Sequence, residues 1–170
     1  MGKAYKHLFF DLDHTLWDFQ QNSANTLQQV FAEYNLPQYG ITDFEAFAAA
    51  YDGHNEKLWA RFRNGFIKRE ELRWKRFWLT LLDFKIGNTP LAHEMSEAYL
   101  EILPTQTVLM PFAKELLEHC KDKYTLHLIT NGFEATQWQK MHYSGIAGYF
   151  KEVITSEKSQ SIKPNAEIFN

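Results

Sequence analysis

Apolar and polar positions along the chain change period twice. Residues 6–12 open with a short apolar block, Leu8-Phe9-Phe10, that runs into Asp11-Leu12-Asp13, the pattern of a buried strand whose end carries polar groups. From Leu27 the spacing becomes helical, with Leu27, Val30, Phe31 and Tyr34 at i, i+3, i+4 and i+7, closing before Pro37 and Gly40. Thr42 to Glu45 reads as a capping box, and Phe44, Phe47, Ala48, Tyr51, Leu58, Trp59 and Phe62 carry the second helix toward Gly65. Trp74, Phe77, Trp78 and Leu81 define a third helix, and Leu91, Met95, Ala98, Tyr99 and Ile102 a fourth. After Pro104 the pattern alternates. A helical face over Phe112, Leu116, Leu117 and Cys120 precedes a strand from Tyr124 to Thr130, and a helix over 134–144 precedes a strand over 150–154. Pro164 suits the first position of a further helix. Alternating strands and helices imply parallel pairing through crossovers. The pattern therefore predicts an α/β core with a parallel sheet over residues 1–17 and 104–170, interrupted after its first strand by an all-α insert over 18–103.

Composition narrows the class. The chain has 170 residues, 45% hydrophobic and 23% charged, with a formal net charge of -3, which excludes a disordered or strongly basic protein and leaves room for a core plus one inserted module. The apolar run at residues 8–10 is far shorter than the roughly 20 residues a membrane span needs, and it lacks the apolar stretch of a signal peptide. The one cysteine, Cys120, forms no internal disulfide and packs on its helix; the cytoplasm is the expected location. Five Trp and fourteen Phe concentrate toward the middle of the chain. Residues 57–76 carry eight basic side chains against Glu70 and Glu71, a net of +6, which reads as a solvated helix face able to steer an anion. The acidic whole and the lack of a recognised binding module argue against nucleic acid as a partner. Trp59, Trp74 and Trp78 read as packing between the insert helices, and His127 as a packed or hydrogen-bonded core histidine.

The chemistry concentrates at strand ends. Asp11 and Asp13 stand where open α/β sheets place ligands, and such a pair binds magnesium through oxygen or divides nucleophilic and proton-transfer work; an Asp/Thr-rich turn capping the next helix is the plainer alternative. Leu126-His127-Leu128-Ile129 ends in Thr130-Asn131-Gly132, a place for a phosphate to meet backbone N–H groups at a helix start. Ser161-Ile162-Lys163-Pro164 adds a cation able to neutralise a phosphate oxygen. His14 and Trp17 flank the acid pair and are candidates for specificity, with Trp17 alternatively an anchor of its stretch.

Taken in order, Asp11-Leu12-Asp13-His14-Thr15, Thr130-Asn131-Gly132 and Lys163-Pro164 resemble the haloacid dehalogenase superfamily, a phosphatase-rich group with a Rossmann-like core. The helical insert resembles the cap of one branch, and Asp11 to Phe19 looks most like the bacterial YjjG-type pyrimidine 5′-nucleotidases. The resemblance implies that Asp11 is a nucleophile that becomes an aspartyl phosphate. Asp13 is then the acid that protonates the leaving oxygen and later activates water. It implies Mg2+ on the Asp11 carboxylate and the Asp13 backbone carbonyl, with Thr130, Asn131 and Lys163 holding the phosphoryl group of a small phosphorylated metabolite. Nucleoside 5′-monophosphates are the expected substrates. The carboxylate at position 13 argues against the dehalogenases, which usually carry tyrosine there; a phosphomutase shares the acid pair. The family's fourth acidic motif is not found in the sequence, and Asp83, Asp122 and Glu157 do not follow strands of the right character. The chain is accordingly expected to be a fragment of a longer protein, the alternative being a non-catalytic phosphate-binding protein.

Overall fold

The computed structural model describes residues 5–169; residues 1–4 and Asn170, which the sequence assigns to the core, lie outside the described residues. Three strands, β1 (His7–Phe10), β2 (Thr125–Thr130) and β3 (Glu152–Thr155), form one parallel sheet in the order β1-β2-β3. Phe10 pairs with Leu128 and Thr130 with Thr155, so β2 runs on past the end of β1. β2 lies between the other two, and Leu126 to Thr130 are all buried, which explains a continuous rather than alternating apolar run. Seven α-helices are described: α1 (Phe19–Glu33), α2 (Phe44–Arg63), α3 (Arg69–Asp83), α4 (Thr89–Ile102), α5 (Ala113–Lys121), α6 (Glu134–Tyr143) and α7 (Ser156–Ser159). The architecture is α/β with a Rossmann-like parallel sheet. None of the described helices is long and apolar enough to cross a membrane.

The chain divides into two compact units. One comprises the residues up to Ser23 together with those from Leu103, and the other is Ala24–Ile102. The division falls within α1, which begins at Phe19, well before the first clear helical repeat at Leu27. Polar Gln20, Gln21 and Asn25 in its first turns mask that start, while Asp18 Oδ1 accepts from the Gln21 N–H at 3.0 Å and opens the helix.

The second unit is all helical. Phe47, Tyr51, Phe77 and Tyr99, fully buried on α2, α3 and α4, form its aromatic centre. Each of the two phenylalanines contributes roughly 1.5–3 kcal/mol on burial. Asp43, not Thr42, caps α2, because its side chain accepts from the Ala46 N–H at 3.1 Å. The three tryptophans read as packed between helices are only half-buried, Trp74 lying flat on His93 with ring centroids 4.5 Å apart. The basic stretch is not wholly solvated either: Arg76 is buried, 5.4 Å from the Tyr99 ring centroid and 5.7 Å from that of Tyr51, and donates to Asn55 Oδ1 at 3.0 Å.

In the first unit, His127 Nε2 and His7 Nδ1 are 3.0 Å apart, so the buried histidine is hydrogen-bonded as its place in an apolar strand implies. Burial, aided by His7, holds its imidazole below the ordinary histidine range. A folded-state value below the unfolded one means that the unfolded chain takes the proton first. The contribution is complete above the unfolded value of about 6.5 and is lost as pH falls from there through the lower folded-state value. Thermal melts taken from about pH 8 down to about pH 5 are expected to fall more steeply for the native sequence than for His127→Gln. Parallel curves would refute this assignment.

Candidate functional site

The site grows from the turn after β1. The strand ends at Phe10, earlier than the apolar pattern predicts, because Leu12 O accepts from the backbone N–H groups of Thr15, Leu16 and Trp17 at 2.9–3.2 Å and folds the chain back. Leu12, Leu16 and Trp17 are buried and anchor this turn, while Asp11 and Asp13 remain partly accessible. His14 closes the turn with a positive φ of 61° and donates its N–H to Trp17 O at 3.0 Å. Trp17 is held by its indole N–H on Gln106 O at 3.2 Å, the behaviour of an anchor. His14 is exposed and tilted against Phe19, with ring centroids 5.1 Å apart.

Each acid meets a lysine. Asp11 Oδ1 accepts from the Leu12 N–H at 2.8 Å and forms an ion pair with Lys163 Nζ, also at 2.8 Å. Lys163 Nζ also donates to Ile129 O at 2.9 Å, which ties the cation to the end of β2. The backbone around Lys163 is clamped by Asn131, whose Oδ1 accepts from the Lys163 N–H at 2.7 Å and whose Nδ2 donates to Lys163 O at 3.1 Å. Pro164 does not begin a helix. The Lys163–Pro164 bond is cis and the chain reaches a short 3₁₀ turn only at Ala166–Phe169.

Asp13 is held from α6. Its Oδ1 accepts from Lys140 Nζ at 2.7 Å and its Oδ2 from Gln137 Nε2 at 2.9 Å. The Gln137 amide also donates to Thr130 Oγ1 at 2.7 Å, and Thr130 Oγ1 accepts from the Gly132 N–H at 3.1 Å. Gly132 packs so closely that a Cβ there would stand 2.4 Å from the Gln137 amide. The five residues singled out in the sequence thus form two groups at the C-terminal edge of the sheet: Lys163 links Asp11 to Asn131, and Gln137 links Asp13, which Lys140 also holds, to Thr130. Sequence reasoning missed Gln137 and Lys140. Their signal was a mismatch on α6, where Gln137 and Lys140 occupy buried positions while Trp138 and Tyr143 are exposed.

Oxygen donors for a hard cation are present but few. Asp11 Oδ2 and the Asp13 carbonyl oxygen accept no hydrogen bond from the described residues. One carboxylate and one carbonyl suit Mg2+, which keeps several waters and shares its shell with substrate phosphate. Among the described residues no three His, Cys, Asp or Glu side chains cluster in a way that could hold a metal. Glu157, set aside in the sequence, does follow β3 on α7, but its Oε2 accepts from the Glu134 N–H at 2.6 Å and caps α6.

Comparison with known proteins bears on this arrangement. The profile of the haloacid dehalogenase-like hydrolases matches residues 5–170. The chain is 30% identical over 168 residues to the HAD-hydrolase YfnB of Bacillus subtilis, covering 99% of this chain and 68% of YfnB. A crystal structure of YfnB bound to magnesium superposes with a TM-score of 0.87 at 29% identity, covering 99% of this chain and 72% of that one. The pyrimidine 5′-nucleotidase YjjG of Escherichia coli is 30% identical over 165 residues, 96% of this chain and 68% of YjjG. The pyrimidine 5′-nucleotidase PynA of Streptococcus pneumoniae is 32% identical over 163 residues, 95% of this chain and 66% of PynA. The chain spans about two thirds of the length of these relatives.

Proposed function

The chain belongs to the haloacid dehalogenase-like hydrolases, and within that family we propose that it carries the catalytic pair of a magnesium-dependent phosphomonoesterase acting on nucleoside 5′-monophosphates or similar small phosphates. The observation that carries this reading is the pairing of two carboxylates in separate settings. Asp11 lies beside a lysine with Oδ2 open, and Asp13 is held apart by donors from another helix. In the first step Asp11 Oδ2 attacks phosphorus and the bond to the leaving oxygen breaks, while Asp13 delivers its proton to that oxygen. In the second, Asp13 takes a proton from water, the water oxygen attacks phosphorus, and the bond to Asp11 breaks to free phosphate and the carboxylate. Lys163 offsets charge on the phosphoryl oxygens beside Asp11, and the Thr130–Gly132 turn lines the same edge. Mg2+, held by the Asp11 carboxylate and the Asp13 carbonyl oxygen, would supply further neutralisation of phosphate charge. Residues 1–17 and 104–170 serve in this reading as the catalytic core, and 18–103 as a cap that selects the substrate.

A leaving-group acid favours a phosphate ester over a carbon–halogen bond, since halide departs without a proton. Two of the relatives are pyrimidine 5′-nucleotidases, which supports a nucleotide as the substrate. Phosphate release measured over nucleoside 5′-monophosphates, hexose phosphates and 2-haloacids, with and without Mg2+, tests the reading. Magnesium-dependent release from the nucleotides is expected. Turnover of haloacids alone, or transfer of phosphate between sugar hydroxyls, would overturn it.

A further inference from the structure

The buried polar face of α6 holds Asp13 but has been given no role in its proton transfer. Lys140 is 3% exposed and Gln137 1%, on a helix that leaves Trp138 at 36% and Tyr143 at 58%. A helix that buries polar groups and exposes aromatic ones gives up apolar burial, and a buried ion pair compensates weakly. The contacts are specific. From positions i and i+3 each side chain sends one donor to a different oxygen of the Asp13 carboxylate, at 2.7 and 2.9 Å. Lys140 Nζ is backed by the Trp17 ring, 4.4 Å from its centroid, and by Phe19 at 5.3 Å, so it is aimed at Asp13 and not at the Lys163 side of the edge. Gln137 is pinned in turn by Thr130 Oγ1. A carboxylate offers about four acceptor positions, of which these donors use two. The Asp13 side chain keeps 25% of its surface exposed.

We propose that Lys140 and Gln137 are positioning residues that fix the Asp13 carboxylate for proton transfer while leaving its outer lone pairs open to the leaving oxygen and the attacking water. The proposal rests on the reading of Asp13 as the acid and base. An acid must come within about 2.6–3.2 Å of its partner. Misplacement by about 1 Å costs on the order of 100-fold.

The test is the rate of the first turnover in Lys140→Met and Gln137→Leu, with a nucleoside 5′-monophosphate and with p-nitrophenyl phosphate, whose leaving group departs unprotonated. With the nucleotide both variants are expected to lose about 30- to 100-fold, at nearly unchanged KM. With the nitrophenyl ester the loss should stay within about 3-fold, because no leaving-group proton is needed. Lys140→Arg, which keeps the charge, should recover part of the rate. Equal losses on both esters, or a change confined to KM or melting temperature, would overturn the positioning role. If Lys140→Met does not fold, Gln137→Leu decides alone, as it removes a donor without unpairing a charge. Asp13→Asn is measured alongside. If it is impaired on the nucleotide alone while the α6 variants are not, only the positioning role falls. If Asp13→Asn itself does not distinguish the two esters, the acid assignment falls and the positioning role with it.

Discussion

Asp11→Asn is expected to abolish phosphate release, with kcat down by at least about 10⁴-fold. The amide is nearly isosteric, and its oxygen can still accept from the Leu12 N–H, the donor 2.8 Å from Oδ1. Folding should therefore survive, and melting curves should show it. What the variant lacks is an anionic oxygen able to form a bond to phosphorus, and half of the donor pair suited to Mg2+. Activity close to that of the native sequence would remove Asp11 from the chemistry.

Lys163→Met is expected to lower kcat/KM by about 10²- to 10³-fold. The ammonium group bridges Asp11 Oδ1 and Ile129 O, so it joins the turn after β1 to the end of β2. Methionine fills a similar volume but leaves Asp11 without its cation and the incoming phosphate without a counter-charge. Lys163→Arg should restore little, because a planar fork cannot reproduce a compact charge with donors to both oxygens. Inhibition by inorganic phosphate should weaken in parallel. Full activity with unweakened phosphate inhibition would show that the lysine only braces the loop.

The strand ends were the legible part of the molecule. An apolar run that stops in Asp11-Leu12-Asp13, another that stops in Thr130-Asn131-Gly132, and Lys163 after a third strand identify one edge of a sheet by local pattern alone. Burial on both sides makes β2 continuous in sequence, whereas β1, at the edge of the sheet with Phe9 57% exposed, is not the buried strand its apolar pattern predicts; in both, polar groups mark the end. The wiring between those residues was not legible. Gln137 and Lys140 are polar residues buried beside Met141 on a helix that leaves Trp138 and Tyr143 exposed, and only tertiary contact with Asp13 accounts for their burial. Arg76 escaped notice for a similar reason: a charge run reads as solvated until the rings of Tyr51 and Tyr99 are seen beside it. Pro164 misled because its usual place at a helix start does not foresee the Asn131 clamp on the residue before it. At α2 the cap moved by one residue, from Thr42 to Asp43, since either side chain satisfies the same local rule.

Capture of the covalent intermediate reaches the central claim most directly. Protein mixed with a nucleoside 5′-monophosphate and Mg2+, quenched in acid during the first turnover and digested, should yield the peptide containing Asp11 with the added mass of one phosphoryl group. The adduct should be labile to hydroxylamine, as an acyl phosphate is, and absent from Asp11→Asn. A phosphoryl group on any other residue, or none during demonstrated turnover, would contradict the account.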